Sequence, residues 1–300
     1  MDDSLKAFGD EVLEGRLDPR VALECFLLVR LGVRTLAIVT LPAELPDGDL
    51  LGAQVDFEFR GRLVGQARDL KTRFNDAIER RRLKPVAFKT FLLRSSFANI
   101  VLASHSYLTH KQAGKSIGLD LQETEVRPAI REWFVSRPED RAKILDLLSR
   151  RRELQRRGRA QHKPSQPVTL YVYPEETDAD YLRSLGQLLG YPECCVEAYV
   201  GGRVRTEAAG GIPEDRAAAQ IRDGRPALSA FWVKDFFPCR PDCPEAEARG
   251  RQARALLAQV RPEFAEIYAG FCRQNLERVS RGPEDIRRHG EWLDRGWSRS

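Results

Sequence analysis

The spacing of hydrophobic and polar residues in the first half of the chain changes repeatedly between a helical period and a strand-like alternation. For example, Val55, Phe57 and Phe59 alternate with charged residues, a pattern typical of a half-buried strand. The same criteria predict helices at residues 4–14, 19–31, 65–82 and 127–134. They predict strands at residues 33–41, 55–59, 86–93 and 98–103. The first half is therefore predicted to be a mixed α+β domain.

The second half has mainly helical spacing. One alternating stretch, residues 168–173, is predicted to be a strand, because Val168, Leu170 and Val172 would share one face. Helices are predicted at residues 138–157, 178–189, 194–200, 213–222, 226–236, 244–260 and 262–281. The chain is thus predicted to be α+β, with a mixed N-terminal domain followed by a mostly α-helical domain.

The largest change in composition lies between residues 150 and 166, where a basic run leads into Pro164-Ser165-Gln166-Pro167. We interpret this stretch as a linker. The predicted division is an α+β domain at 1–149, the linker at 150–166, a cysteine-site domain at 167–281 and a tail at 282–300. The basic run could contact RNA or DNA phosphates weakly, although no aromatic residue is interleaved for base stacking. Its basic residues are Arg150, Arg151, Arg152, Arg156, Arg157, Arg159 and Lys163.

Composition and charge narrow the class of protein. The chain has 300 residues, of which 42% are hydrophobic and 31% charged, so a substantial core is available. The net charge of +5 is mild for this length. The N-terminal residues lack the apolar stretch of a signal peptide, and the most apolar run, 23–41, is interrupted by Arg30 and Arg34. We expect no membrane span and a cytoplasmic protein, where clustered cysteines indicate metal binding or catalysis more often than disulfides.

Four of the six cysteines occur in two short motifs, and each motif has the signals of a helix start. Gly190 is a helix stop and Pro192 suits the first turn of a new helix, which places Cys194 and Cys195 in that turn. Cys243 directly precedes Pro244 in the same way, with Cys239 in the turn before it. Helix N-termini favour thiolates over thiols. We therefore predict that Cys194, Cys195, Cys239 and Cys243 form a four-sulfur metal site.

The spacing of the cysteines bears on the metal. The Cys-x-x-x-Cys spacing of Cys239 and Cys243 suits a chelating pair, whereas adjacent side chains on a helix diverge by about 100°. A cluster several ångströms across tolerates that divergence better than one ion does, so an iron–sulfur cluster with a redox or enzymatic role is the first interpretation. A zinc site that stabilises a nucleic-acid-binding module is the alternative. Thiol redox chemistry without a metal also stays open.

The remaining cysteines and the histidines have simpler interpretations. Cys25 and Cys272 lie among apolar residues of predicted helices and are expected to belong to the core. His105 and His110 are five residues apart, which does not suit a metal pair on one helix face. The aromatic residues before Cys239 are expected to shield the site from water. They are Phe231, Trp232, Phe236 and Phe237.

The two cysteine motifs together also resemble a known family. Gly190-Tyr191-Pro192-Glu193-Cys194-Cys195, with Val196 and Tyr199 after it, and Pro238-Cys239 with Cys243 resemble a prokaryotic family known mainly as a domain of unknown function. The resemblance covers roughly residues 168–250. In that family a small hydroxyl residue often follows the last cysteine by three positions, where this chain has Ala246. The resemblance therefore supports the pairing of the two motifs and implies no particular reaction.

Overall fold

The computed structural model describes residues 3–64, 85–127, 130–161, 174–209, 218–222, 224–234 and 236–297. The chain forms two compact units, one comprising Met1–Phe26 and Ala37–Pro138, the other Leu27–Leu36 and Glu139–Ser300. Helices dominate and a three-stranded sheet accompanies them, which confirms the predicted α+β class. The predicted helix at 65–82 and the predicted strand at 168–173 lie outside the described residues, as does Lys163.

The first unit combines helices with the sheet. Its helices are α1 (Asp3–Leu13), α3 (Gly48–Val64), α4 (Pro85–Ile100) and α5 (His105–Ser116). A π-helical stretch, Val21–Leu27, begins in this unit, and the short helix α2 (Leu28–Arg30) that follows it belongs to the second unit. The strands are β1 (Leu36–Leu41), β2 (Asp120–Arg127) and β3 (Ile130–Ser136), in the order β1-β3-β2.

Strands β2 and β3 replace the helix that was predicted at residues 127–134. They pair antiparallel, with Leu121 opposite Val135 and Glu123 opposite Trp133. Trp133, Phe134 and Val135 are consecutive and fully buried. Bulky aromatic and β-branched residues favour a strand that is covered on both faces, which explains why the helix prediction was wrong here.

Three predicted strands are instead helical. The alternation at Val55–Phe59 lies inside α3, where Asp56 and Arg60 form an i,i+4 ion pair of 2.7 Å. The predicted strands at 86–93 and 98–103 give way to α4, which covers residues 85–100 and so includes all of the first and half of the second, and residues 101–103 form a turn. A short apolar run does not distinguish a buried helix from a strand, and Pro85 at the first helical position is the stronger local signal.

The second unit is helical in its described part. After a 3₁₀ turn at Pro138–Asp140 it contains α6 (Arg141–Gln161), and a second 3₁₀ turn, Pro174–Glu176, precedes the remaining helices. These are α7 (Ala179–Leu188), α8 (Glu193–Ala209), α9 (Pro244–Val260) and α10 (Pro262–Trp297). The predicted helices at 178–189, 194–200, 244–260 and 262–281 are confirmed, and α8 and α10 extend beyond their predicted ends. None of the described helices has the length and apolar content that a membrane span requires.

The basic run that was interpreted as a linker continues α6 as far as residue 161. Arg150 pairs with Asp178 at 2.9 Å, and Arg151 lies 3.5 Å from the buried Glu175. Arg152, Arg156 and Arg157 are exposed. The compact units divide between Pro138 and Glu139, while the domain boundary at 149/150 stays a prediction.

Candidate metal centre

The first cysteine pair is positioned by the turn between α7 and α8. Gly190 adopts a positive φ of 77°, and a Cβ there would lie 2.9 Å from the carbonyl oxygen of Val33, so only glycine fits. Helix α8 begins at Glu193, and the backbone N–H of Cys195 donates to the carbonyl oxygen of Pro192 at 2.9 Å. Cys194 and Cys195 therefore lie in the first turn of α8, as the sequence predicts.

Arg34 helps to fix this turn. Its Nε donates to the carbonyl oxygen of Leu189 at 3.1 Å in a buried hydrogen bond, which satisfies a carbonyl group at the end of α7. Its guanidinium carbon lies 6.0 Å from the ring centre of Tyr191 and 5.9 Å from that of Trp232. No local pattern indicates this role of Arg34, because Leu189 is 155 residues away in the sequence.

The second cysteine pair follows a segment that was predicted to be a helix at 226–236. That prediction is wrong for the described part of the segment, which forms only a 3₁₀ turn at Leu228–Ala230 and has no regular structure at residues 231–234 and 236. The reason lies in α10: Tyr268 donates its hydroxyl to the carbonyl oxygen of Trp232 at 2.5 Å, and Asn275 Nδ2 donates to that of Phe231 at 3.1 Å. These carbonyl groups bind side chains and are not in a helical ladder.

Close packing holds this segment against α9. A Cβ on Gly250 of α9 would lie 1.9 Å from the carbonyl oxygen of Ser229, so the backbones approach as only glycine allows. The N–H of Ala227 donates to the carbonyl oxygen of Pro241 at 3.0 Å, which closes the loop before the second cysteine pair. Cys243 is then the N-cap residue of α9, with a proline at the start of the helix as predicted.

The structure brings the four cysteines of the predicted site together. The Sγ–Sγ distances are 3.8 Å between Cys194 and Cys195, 3.7 Å between Cys194 and Cys243, and 3.6 Å between Cys195 and Cys243. Cys239 completes the group, and all four sulfur atoms lie within 4.8 Å of one another. The backbone N–H of Cys239 also points at the sulfur of Cys195, at 3.3 Å. Four sulfur atoms at this spacing are compatible with metal binding.

The spacing revises one step of the sequence argument. Adjacent helical side chains were expected to diverge too far to share an ion, yet the sulfur atoms of Cys194 and Cys195 are 3.8 Å apart. A tetrahedral site with metal–sulfur bonds of about 2.3 Å has sulfur–sulfur edges of about 3.8 Å. The adjacent pair therefore fits one edge of such a tetrahedron.

Burial and mutual repulsion keep most of these thiols protonated when no cation is present. Burial, with further contributions from the neighbouring thiols, raises the pKa of Cys194 to about 11 and raises the pKa of Cys195 and Cys239 as well. Burial also acts to raise the pKa of Cys243, but the N–H of Ala246 and the adjacent thiols outweigh it, so this pKa is lowered. The pKa of Cys243 thus shifts in the direction predicted for a helix start, and a bound cation would favour the thiolate form of the other three.

Aromatic residues surround the cysteines on one side. Phe231, Trp232 and Phe236 are buried, as the sequence predicts, and Phe237 is half-buried. Tyr191 joins them, with its ring centre 4.7 Å from that of Phe236. Cys194 is the exposed member of the cysteine group, whereas Cys195 and Cys243 are buried. Two of the four sulfur ligands are therefore withdrawn from solvent, and the group is open to solvent at Cys194.

Cys25, Cys272, His105 and His110 lie outside the cysteine group, as expected. Cys272 is buried on α10, and Cys25 is half-buried with its sulfur 4.0 Å from the carbonyl oxygen of Ile38. His110 has structural partners: its Nε2 accepts from the backbone N–H of Asp18 at 2.8 Å, and its Nδ1 lies 2.8 Å from the carbonyl oxygen of Ser106. Nδ1 must then carry the proton, and burial lowers the pKa of His110.

Comparisons with known proteins add no family assignment. No family model, curated protein or solved structure matches the chain. The residues of the site therefore carry the functional argument.

Proposed function

We propose that Cys194, Cys195, Cys239 and Cys243 bind one metal ion in tetrahedral sulfur coordination, with zinc as the ion that this donor set suits best. The observation that carries the proposal is the spacing of the sulfur atoms. The three distances among Cys194, Cys195 and Cys243 are 3.6–3.8 Å, which match the edge of about 3.8 Å expected for thiolates around one zinc ion, and Cys239 lies within 4.8 Å of them. Zinc accepts four thiolates without a redox change.

The arrangement supports a structural role for the ion. Four protein ligands leave no open coordination position, which is typical of structural zinc and not of catalytic zinc. The ligands come from the starts of two helices, α8 and α9, and the linked residues are up to 49 positions apart in the sequence. An ion that joins them would tie the start of α8 to the start of α9, so its binding free energy would contribute to folding.

Two backbone groups suit a site that carries net negative charge. The N–H of Ala246 lowers the pKa of Cys243, and the N–H of Cys239 donates to the sulfur of Cys195. Such N–H groups stabilise metal-bound thiolates by charge-assisted hydrogen bonds. They come from the backbone, so the alanine found three residues after Cys243 does not weaken them.

A four-cysteine iron–sulfur cluster with a redox or enzymatic role is the second candidate. The aromatic residues beside the site favour it, because a dry surrounding tunes a redox centre more than it affects zinc. In a cubane each thiolate binds a different iron, so the sulfur atoms stand well apart, with the cluster between them. Such a cluster requires the four cysteines to spread beyond their 4.8 Å grouping.

Three further parts of the proposal concern the location, the family and the partners of the protein. All six cysteines are free thiols, which suits a reducing compartment, and we retain the cytoplasm as the proposed location. Membership of the domain-of-unknown-function family rests on the two cysteine motifs alone. Weak contact with RNA or DNA rests on Arg152, Arg156 and Arg157, which are exposed. Arg156 and Arg157 share the carboxylate of Glu153, which leaves the three arginines with a net positive charge.

Metal and acid-labile sulfide analysis of anaerobically purified protein tests the proposal. We expect one zinc per chain and no sulfide, and we expect single serine substitutions at the four cysteines to lower the metal content. Cys25→Ser and Cys272→Ser are the matched controls and should leave it unchanged. Near-stoichiometric iron and sulfide, with visible absorption that dithionite bleaches, would refute zinc and support the iron–sulfur cluster as the occupant of the site. Full metal retention in two or more of the four serine variants would refute the four-ligand site.

A further inference from the structure

An apolar pocket of about 190 Å³ lies beside the cysteine group in the second unit. Leucines of α7 form one wall, Cys195 and Val196 of α8 form another, and aromatic residues complete it. Cys195 belongs to both the pocket and the cysteine group. The metal proposal makes no use of this space.

The lining determines which ligands the pocket can accept. None of the ten lining residues is acidic or basic, so an anionic ligand would lose its hydration without gaining a partner. Four of the ten are aromatic. Tyr191 and Phe236 form one tilted pair with ring centres 4.7 Å apart, and Tyr199 and Phe237 form a stacked pair at 6.4 Å. Such rings favour another ring in offset or edge-to-face contact.

The volume limits the size of the ligand. An apolar cavity of about 150 Å³ stays dry and accepts a benzene ring. The present pocket is somewhat larger, at about 190 Å³, so it accommodates one ring or two fused rings. It is too small for a long acyl chain or a nucleotide.

We infer that this pocket binds a small, uncharged aromatic compound of one or two rings, in contact with Cys195. Transfer of such a compound from water buries its apolar surface against leucine and aromatic side chains. The inference goes beyond the proposed function and does not depend on it, because the pocket walls are defined without the metal.

Titration of the full-length protein with indole tests the inference, with isothermal calorimetry and ligand-observed NMR as readouts. We expect one saturable site with a dissociation constant of about 1 mM or tighter, as the small size of indole implies. Indole-2-carboxylate is the matched charged probe and should bind at least about tenfold more weakly.

Two substitutions locate the site. Leu182→Phe adds volume to the pocket wall and should weaken indole binding by about tenfold. Leu145→Phe makes the same change at an exposed position of α6 outside the pocket and should leave binding unchanged. Because Leu182→Phe could impair folding, Phe237→Leu provides a second variant, which removes one ring from the wall and should also weaken binding. Circular dichroism of each variant monitors the fold.

The outcomes separate this inference from the metal proposal. Absence of saturable indole binding, equal binding of the carboxylate, or equal effects of Leu182→Phe and Leu145→Phe would overturn the pocket. Metal content is measured on the same samples. A metal-free protein that binds indole would support the pocket inference and refute the metal centre. A zinc-loaded protein that does not bind indole would support the metal centre and refute the pocket inference.

Discussion

Replacement of Gly250 by alanine is expected to destabilise the second unit, although alanine is the better helix former. A Cβ at this position of α9 would lie 1.9 Å from the carbonyl oxygen of Ser229, whereas real Cβ contacts are essentially never under 3.0 Å. The 3₁₀ turn at Leu228–Ala230 and α9 would therefore have to move apart by at least 1.1 Å, the difference between 3.0 Å and 1.9 Å. The obstacle is backbone, which no side-chain rotation can remove.

The size of the effect follows from two opposing contributions. Alanine in a helix interior is worth about 1 kcal/mol more than glycine. Overpacking of a closely packed contact costs about 1–3 kcal/mol, and a backbone obstacle places this site at or above the upper end. We therefore expect a net loss of about 2 kcal/mol in the free energy of unfolding. Metal affinity should fall too, because Ser229 belongs to the segment that leads to Cys239.

Urea denaturation followed by circular dichroism measures this loss. Gly270→Ala is the matched control, because it makes the same change inside α10, where the nearest heavy atom to the new Cβ is 3.9 Å away. The control should be as stable as the wild type or gain up to about 1 kcal/mol. If Gly250→Ala is as stable as Gly270→Ala, then the close approach of Ser229 to α9 is wrong.

Two further predictions concern charge. Burial acts to raise the pKa of Glu123, but hydrogen bonds from Tyr107 and Arg131 outweigh burial, so this pKa is lowered. Glu123 therefore stabilises the folded state at a pH above its unfolded pKa, and this stabilisation is lost as the pH falls through its folded pKa. Glu123→Gln should therefore lower the free energy of unfolding, measured by urea denaturation, by about 2 kcal/mol at pH 7 and by much less near pH 3. The control Glu277→Gln, at an exposed position, should change it little at either pH. An equal loss for Glu123→Gln at pH 7 and pH 3 would contradict this reasoning. If the basic run binds RNA or DNA, log K should fall with log salt by nearly one unit per phosphate contact, and charge reversal of its exposed arginines should flatten that slope. The variant reverses Arg152, Arg156 and Arg157. The control reverses Arg251, Arg254 and Arg273 together, so that both variants have the same net charge. An unchanged salt dependence in the first variant would exclude the basic run as the binding surface.

The cysteine motifs could be predicted because their signals are local. Gly190 ends one helix through its positive φ, and a proline starts each of the next two, so the helix starts at Glu193 and Pro244 follow from a few neighbouring residues. The chemistry of clustered thiols then suggested that the two motifs meet. What local signals did not supply was the sulfur spacing, which depends on how α8 and α9 are oriented.

The errors concern segments whose structure is decided by distant residues. Residues 231–234 have helical spacing, but Tyr268 and Asn275 of α10 donate to the carbonyl groups of Trp232 and Phe231 and hold them in an irregular path. Strand β2 is rich in charged residues and acquires its conformation through pairing with the buried strand β3. Helix α4 is apolar enough to resemble two strands, and its helical state depends in part on packing against α3. Tertiary contacts override weak local propensity in each case.

The contact of Arg34 with Leu189 has a consequence for synthesis of the chain. Residues 27–36 belong to the second unit, yet they leave the ribosome 155 residues before their partner. At about 5–20 residues per second, that interval is on the order of ten seconds or more. Over that interval Val33 and Arg34 lack the turn between α7 and α8 that they contact in the folded protein, so the second unit completes its fold late. Any fragment that begins after residue 36 would lack this contact for good.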